Sequence, residues 1–410
     1  MTGPLQGVRV LDLSRVLAGP FGTSILAALG AAVLKIEDPA GGDGVRSIGP
    51  HYDGDLSHYF LTVNRGKKSI AVDMKSEAGR DLILRLAEIS DVVVENFRPD
   101  VLERLGLDFP VLKAVNPRII LCSISGFGRN GPLRDSPSFD LVTQARSGVM
   151  SITGEVDGPP TKMGLPMGDL GGGLWSAIAV LAALQRRNTD DRAQHIDISL
   201  LDGLMGLLGY LSQMTLLTGR APERMGSDHH AVVPYGRFEA ADGYLVLALH
   251  VGNFWRRFCT AIGRTDLIED ERFRTTALRR KNRDVLVPLL EDVLRTKTRA
   301  EWDRILSEAD VPQAPVLDVK EALEQPQVAA RGLLRTVDDP DAGEITVVGS
   351  PIRFVGDDAT AVLPTAPRLG QHTRSALSSL LGMNADEIDA LIASGAITEE
   401  RTLTEEGASS

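Results

Sequence analysis

The sequence predicts an α/β fold: a large domain on a mostly parallel, doubly wound sheet, with a smaller α+β domain beside it. Three observations predict it. Short β-branched runs alternate with helical stretches through the first 130 residues, the texture turns Pro-, Gly- and charge-rich near residue 219, and strand-like runs return from about 330. At 410 residues the chain is long enough to build a core for each domain.

Taken in order, "VRVLDLS" (8–14) reads as a strand, and "PFGTSILAALG" as a helix with Pro20 in its first turn and Gly30 at its end. "AAVLKIE" (31–37) and "KSIAVDM" (68–74) read as the next strands, the second followed by an amphipathic helix from Ser76 to about Ile89. "DVVVENF" (91–97) and "RIILCSISGFG" (118–128) give two more strands. Residues 170–187 and 200–218 read as two long apolar helices around the strand "HIDISL". "TGRAPERMGSDHHAVVPYG" reads as a linker, and "GRFEAADGYLVLAL" as a hairpin turning at Asp242-Gly243. Helical stretches at about 251–262, 279–296 and 299–309 complete the smaller domain, "EITVVGSPIRF" returns to strand, and the tail from about 385 reads as a short acidic helix with a frayed polar end. The domain boundaries expected are 1–225, 226–325 and a return segment 326–410.

Net charge is −11, which disfavours a nucleic-acid partner. "MTGPLQGVRV" lacks a signal-peptide pattern, and the apolar run "ILAALGAAVL" is short and broken by Gly30, so no membrane partner is expected. Two cysteines far apart fit a reducing cytoplasm. No CxxC, HExxH or other metal-ligand spacing is present, the loop after the first strand is not GxGxxG because Gly19 and Gly22 flank a proline instead, and "CSISGFG" is not GxSxG. Residues 1–134 carry 16 Lys+Arg against 15 Asp+Glu, so the front is comparatively basic in an acidic protein. Arg15, Lys35, Arg46, Lys67, Lys68, Lys75, Arg98 and Arg104 fall near strand ends, where open α/β sheets bind ligands. A ligand with several phosphates would account for them, and coenzyme A suits; solvated surface charge is the plain alternative.

"GLPMGDLGGGLWSA" raises the sharpest question, because Asp169 sits in a bed of glycine. One reading makes Asp169 the N-cap of a helix that starts on a tight turn. The other makes the glycines clear space, so that a bulky substrate reaches a carboxylate nucleophile.

The segments "PLQGVRVLDLSRVLAGP", "NRGKKSIAVDMK", "DVVVENFRP", "NPRIILCSISGFGRNGP", "SFDLVTQARSG", "GLPMGDLGGG", "HIDISLLDG", "PYGRFEAADGYLVLAL" and "LGQHT", in this order, resemble the class III coenzyme A transferases over nearly the whole chain. That group includes formyl-CoA transferase and carnitine CoA-transferase. The resemblance implies a Rossmann-like large domain built from both ends of the chain, a ring-shaped subunit and an interlocked homodimer. It places Asp169 on the catalytic aspartate, and Arg15, Val16, Leu17, Lys75, Asn96, Phe97, Arg98 and Arg104 on positions contacting CoA. Asp38 stands where some members carry an arginine, and Arg46 is the expected substitute. No permanently bound cofactor is implied; a CoA thioester is the substrate and a carboxylic acid the acceptor. The implied chemistry is CoA transfer through an aspartyl anhydride and an aspartyl-CoA thioester on Asp169. Backbone N–H groups of Gly171, Gly172 and Gly173 are expected at the oxyanion, with Asp140 and Gln144 bordering the pocket. The missing glycine-rich loop of oxalate-using members argues against oxalate, and Arg237, His229 and His230 are candidates for a second carboxylate. Two alternatives share the resemblance. An α-methylacyl-CoA racemase would need a histidine where Phe139 stands, and a non-catalytic CoA-binding protein would need no acid at 169.

Overall fold

The computed structural model describes residues 3–52, 56–250, 253–355 and 363–400. They divide into two compact units, one from 1–150, 162–220 and 330–410, the other from 151–161 and 221–329. The sequence reading kept 151–161 with the first segment; the chain here groups them with the smaller unit.

The larger unit holds a seven-stranded sheet. In chain order its elements are β1 (Arg9–Asp12), α1 (Ala18–Ala28), β2 (Ala32–Glu37), α2 (His58–Asn64), β3 (Lys68–Val72), α3 (Glu77–Glu88), β4 (Val92–Glu95), β5 (Ile120–Ser125), α4 (Asp140–Arg146), α5 (Met167–Arg187), β6 (Gln194–Ser199), α6 (Leu200–Leu207) and α7 (Tyr210–Thr218). Strands β1 to β6 pair in parallel in the order β3-β2-β1-β4-β5-β6, reversing direction of growth at β1, and a terminal strand at Ile397–Thr398 adds antiparallel to β3. Alternate residues feed two cores. Val10, Val33, Val92 and Ile120 pack with α1 and α5, while Leu11, Leu34, Val93 and Leu121 pack with α3 on the opposite face. Helices on both faces explain why these strands read as continuous apolar runs rather than alternating ones. Ser76 caps α3 by accepting from the Gly79 N–H at 3.0 Å.

Two readings are corrected. The stretch 200–218 is not one long helix: α6 and α7 meet at 81°, with Gly209 in a left-handed conformation at φ +56° between them. "EITVVGSPIRF" carries strand only to Val348, paired with Leu334–Asp339. The paired strands His51–Tyr52 and Leu56–Ser57, the helices α2 and α4 and the strand Ile397–Thr398 were not anticipated; each is short, and short elements leave little periodicity to read. The acidic helix is present at Ala385–Ala393, while the expected polar end from 401 lies outside the described residues.

In the smaller unit the hairpin β7 (Tyr235–Ala240) and β8 (Gly243–Ala248) turns where expected, and Gln313–Pro315 adds a third antiparallel strand. The stretch 279–296 is two helices, Thr276–Lys281 and Arg283–Leu294, and the first expected helix begins at Phe254. Phe238, Leu245, Phe258, Leu290, Trp302 and Leu306 close the core. The helix Arg299–Glu308 starts with a capping box between Thr298 and Glu301.

Candidate functional site

Asp169 is neither on a turn nor an N-cap. Helix α5 begins two residues earlier, Pro166 occupies the cap position, and Asp169 lies in the first turn. The orphan N–H of Gly168 donates instead to the Asp140 carboxylate at 2.7 Å. Asp140 opens α4 and also accepts from Gln144 Nε2 at 2.7 Å, while Gln144 Oε1 accepts from the Met163 N–H at 2.8 Å. Asp140 and Gln144 therefore hold the approach to α5.

The glycines have a different task from the one expected of them. Gly171, Gly172 and Gly173 lie past the first turn, where backbone N–H groups belong to the helix's own hydrogen bonds rather than to an oxyanion. Their missing side chains let elements touch. A Cβ on Gly172 would stand 2.3 Å from Leu200 Cδ2, and one on Gly173 2.7 Å from the Ala18 carbonyl oxygen and 3.1 Å from the Gly22 nitrogen. A Cβ on Gly22 would in turn stand 2.2 Å from Ser176 Oγ. Thus α1 and α5 cross backbone to backbone. Helix α5 is long and apolar enough by composition to cross a membrane, a feature the sequence reading passed over, yet its glycine face is packed into this crossing.

Electrostatics mark Asp169, as they mark Glu95, whose carboxyl is also pushed up to about 7 by burial. Burial, and after it the like charge of Asp140, push the Asp169 carboxyl up to about 7. The Tyr59 phenol is raised as well, by burial and then by Asp169, Asp43 and Asp140. Tyr59, on α2, thus shares the carboxylates' surroundings. No motif announced it.

At the carboxyl ends of β1 to β4 the chain encloses a cavity of about 750 Å³ lined by Arg15, Asp38, Lys75, Arg80, Phe97 and Arg104 among others. Four of the nine residues expected at CoA line it. Asn96 stands behind them, holding the Arg15 backbone, and the Arg15 guanidinium lies 5.4 Å from the centre of the Phe97 ring. Val16 and Leu17 continue the Arg15 turn into α1, with Leu17 buried. Arg98 is exposed and not among the lining residues. Arg80 was missed: it lies inside a helix, away from the strand-end motifs.

Arg46 is corrected outright. Its guanidinium is buried in a fork on Glu37, with Nε and Nη2 each 2.7 Å from a carboxylate oxygen, donates to the Pro367 carbonyl at 3.0 Å, and lies over Phe60. Three of its five N–H donors are spent on these acceptors, which leaves it poorly placed to meet a phosphate. Lys35 and Lys67 are likewise consumed by Asp43 at 3.0 Å and Asp12 at 2.9 Å. The expected cationic edge is therefore thinner than its sequence count.

A Ser–His contact absent from the sequence reading does occur: Ser123 Oγ lies 2.9 Å from His195 Nε2. Ser123 is buried and bonds the Glu95 carboxylate as well, while Asp197 acts on His195 through its charge rather than through a hydrogen bond. The arrangement does not activate a nucleophile in the Ser-His-Asp manner. In the smaller unit Arg237 pairs with Glu155 at 3.2 Å and lies over Tyr244, and His229 stacks on His230 with ring centres 4.4 Å apart. Among the described residues no cluster of three or more His, Cys, Asp or Glu is poised for a metal.

Asp169 thus lies on the first turn of α5, the helix that crosses α1, and α1 follows the Arg15 turn that lines the cation-bearing cavity. The family model for CoA-transferase family III matches residues 5–373. The chain belongs to this family. It is 40% identical to an acetyl-CoA:oxalate CoA-transferase of Acetobacter aceti, covering 90% of this chain and 94% of that one. It is 38% identical to a succinyl-CoA:glutarate CoA-transferase of Mus musculus, covering 97% and 91%. A CAIB/BAIF family protein from Brucella suis has the same fold, with a TM-score of 0.84 and 36% identity over 93% of this chain and all of that one. The protein is thus a family III CoA-transferase with a mixed α/β fold.

Proposed function

We propose that this CoA-transferase moves CoA from an acyl-CoA donor to a carboxylic acid acceptor by covalent catalysis on Asp169. An oxygen of the Asp169 carboxylate attacks the thioester carbon, the C–S bond breaks, and an aspartyl–acyl anhydride and CoA thiolate form. The thiolate attacks the aspartyl carbonyl, releases the donor acid and leaves an aspartyl-CoA thioester. The acceptor carboxylate attacks that carbonyl to form a second anhydride and free thiolate. The thiolate then attacks the acceptor's acyl carbon and regenerates Asp169. Each step exchanges one activated acyl bond for another, which divides a difficult exchange into easier ones.

The observation that carries this reading is the Asp169 carboxyl itself, raised by burial and left without a cation among the causes of its shift. A poorly solvated carboxylate is a stronger nucleophile than a hydrated one. Arg15, Lys75, Arg80 and Arg104 would meet the CoA phosphates, with Asn96 and Phe97 shaping the Arg15 turn. Relatives named for oxalate, glutarate and mesaconate favour small dicarboxylic acids as acceptors, and give no ground for setting oxalate aside.

A homodimer, of the interlocked kind the resemblance implies, is the working form we propose. Trp175 and Ile178 on α5, Met205 and Leu207 on α6, and Tyr210, Leu216 and Leu217 on α7 are exposed apolar side chains of one unit, more than a lone subunit is expected to leave in water. Its solution mass should be twice the 44.1 kDa of the chain.

The test of the mechanism is direct. Enzyme mixed with acyl-CoA alone is quenched and digested, and the peptide bearing Asp169 is weighed. A CoA or acyl adduct there, converted to a hydroxamate by hydroxylamine, is the expected result. Transfer between donor and acceptor with no adduct at Asp169 rules the mechanism out. A panel of oxalate, glutarate and succinate acceptors then reads the substrate class.

A further inference from the structure

The turn that brings Arg15 to the cavity is built against its own backbone preference. Val16 sits at φ +66°, a left-handed conformation that a β-branched side chain disfavours. Such conformations persist only where the surroundings over-determine them. Here the surroundings can be named atom by atom. The Ser14 N–H donates to Asp12 Oδ1 at 3.0 Å, and the Ser14 carbonyl accepts from Lys35 Nζ at 2.8 Å. The Arg15 N–H and carbonyl are both held by the Asn96 amide, each at 2.7 Å. The Val16 N–H donates to the two carboxylate oxygens of Asp43 at 3.1 and 3.2 Å. Side chains thus hold the backbone from Ser14 through Arg15 up to the N–H of the strained residue.

Asp43 is the member of this set that bears on the strained residue itself. It is fully buried, its carboxylate lies 3.0 Å from Lys35 Nζ, and it also caps the short turn Gly44–Ser47 through the Val45 N–H. Lys35, equally buried, joins the two sides: the same ammonium holds the Ser14 carbonyl and seats Asp43. A buried charge pair is a poor device for stability alone, because desolvation offsets much of its attraction. Its return here is geometry.

We infer that Asp43, seated by Lys35, is a positioning residue of the CoA site: it locks Val16 in its left-handed conformation and so fixes Arg15 toward the strand-end cavity. The inference rests on the reading of that cavity as the CoA site. Without the lock Val16 relaxes to negative φ, only a fraction of molecules presents Arg15, and apparent affinity falls by that fraction.

The test uses the full-length enzyme in a steady-state transfer assay with acyl-CoA as the varied substrate. Asp43→Asn keeps the size and one acceptor oxygen but removes the charge. It is expected to raise the KM for acyl-CoA by about tenfold and to change kcat by less than about twofold. Adding Val16→Gly to Asp43→Asn should recover most of that loss, since glycine adopts positive φ without strain; a merely structural role for Asp43 would not respond to the residue at position 16. Should Asp43→Asn not fold, Lys35→Met with Asp43→Asn leaves no buried unpaired charge and tests the same lock. A KM within about twofold of the parent in the folded variant, or no recovery with Val16→Gly, overturns the inference. The parent enzyme is assayed alongside. No CoA transfer by the parent sinks the CoA reading, whereas transfer by the parent with unchanged variants sinks the lock alone.

Discussion

Asp12 and Asp169 are carboxylates of one unit, both withdrawn from water, with opposite fates. Burial raises the proton affinity of each. At Asp12 the ammonium groups of Lys67 and Lys35 and the hydroxyls of Ser14 and Thr23 overrule that penalty and hold the carboxyl down at about 2. At Asp169 no cation answers, Asp140 adds a like charge, and the carboxyl stands at about 7. The difference teaches that depth does not make a carboxylate reactive. Asp12, paired with Lys67 at 2.9 Å, is a brace. Asp169, largely buried and with no cation among the causes of its shift, is a group whose charge the fold tolerates for some other purpose.

Removing the proposed nucleophile sharpens this contrast most. Asp169→Asn is expected to lower transfer by at least about 10³-fold, as loss of a covalent nucleophile does, with CoA binding retained by isothermal titration. The same variant should be the more stable protein at pH 8. A carboxyl with a raised folded pKa retains its proton in the native state while the unfolded chain has lost it, so stability falls as pH rises from about 4 to about 7. Asparagine escapes that loss, and a gain on the order of 1–2 kcal/mol in urea unfolding at pH 8 is expected after allowing for partial solvent contact. Equal stability of variant and parent there would break the comparison from the Asp169 side.

Removing the brace's partner is the mirror experiment. Lys67→Met leaves Asp12 buried beside one fewer cation and is expected to cost about 3–5 kcal/mol. Its cost should shrink on acidification, because a carboxyl held down at about 2 contributes stability above about pH 4 that is lost as pH falls toward 2. A flat pH dependence of the Lys67→Met cost would deny Asp12 its role.

The helix crossing beneath Asp169 comes next in size. Gly173→Ala forces a Cβ onto the Ala18 carbonyl and should destabilise by about 2 kcal/mol, whereas Gly171→Ala meets only the end of Leu207 at 3.2 Å and should cost less than about 1 kcal/mol. Thermal melts of the two variants measure the gap. Smallest is Asp140→Asn, which removes the like charge and should shift the acid limb of kcat/KM, expected near pH 7, to lower pH. A limb that stays in place would leave burial as the whole cause.

The parallel strands and the hairpin at Asp242 were legible in the sequence, because each has a local signature: a β-branched run between helical stretches, a turn dipeptide. What the glycines do was not legible. Three small residues in a row announce close approach without saying to what, and the partner, α1, lies some 150 residues earlier in the chain. Arg46 shows the limit from the other direction, since nothing in "GDGVRSIG" reveals that Glu37 has already taken its guanidinium. The sequence by itself determined where the longer strands and helices of the large sheet form, since those depend on neighbours within a few residues. Only the tertiary structure decided which charges are spent on one another and which remain for a ligand. Coulomb attraction and desolvation depend on distance through space, and folding, not sequence order, sets that distance.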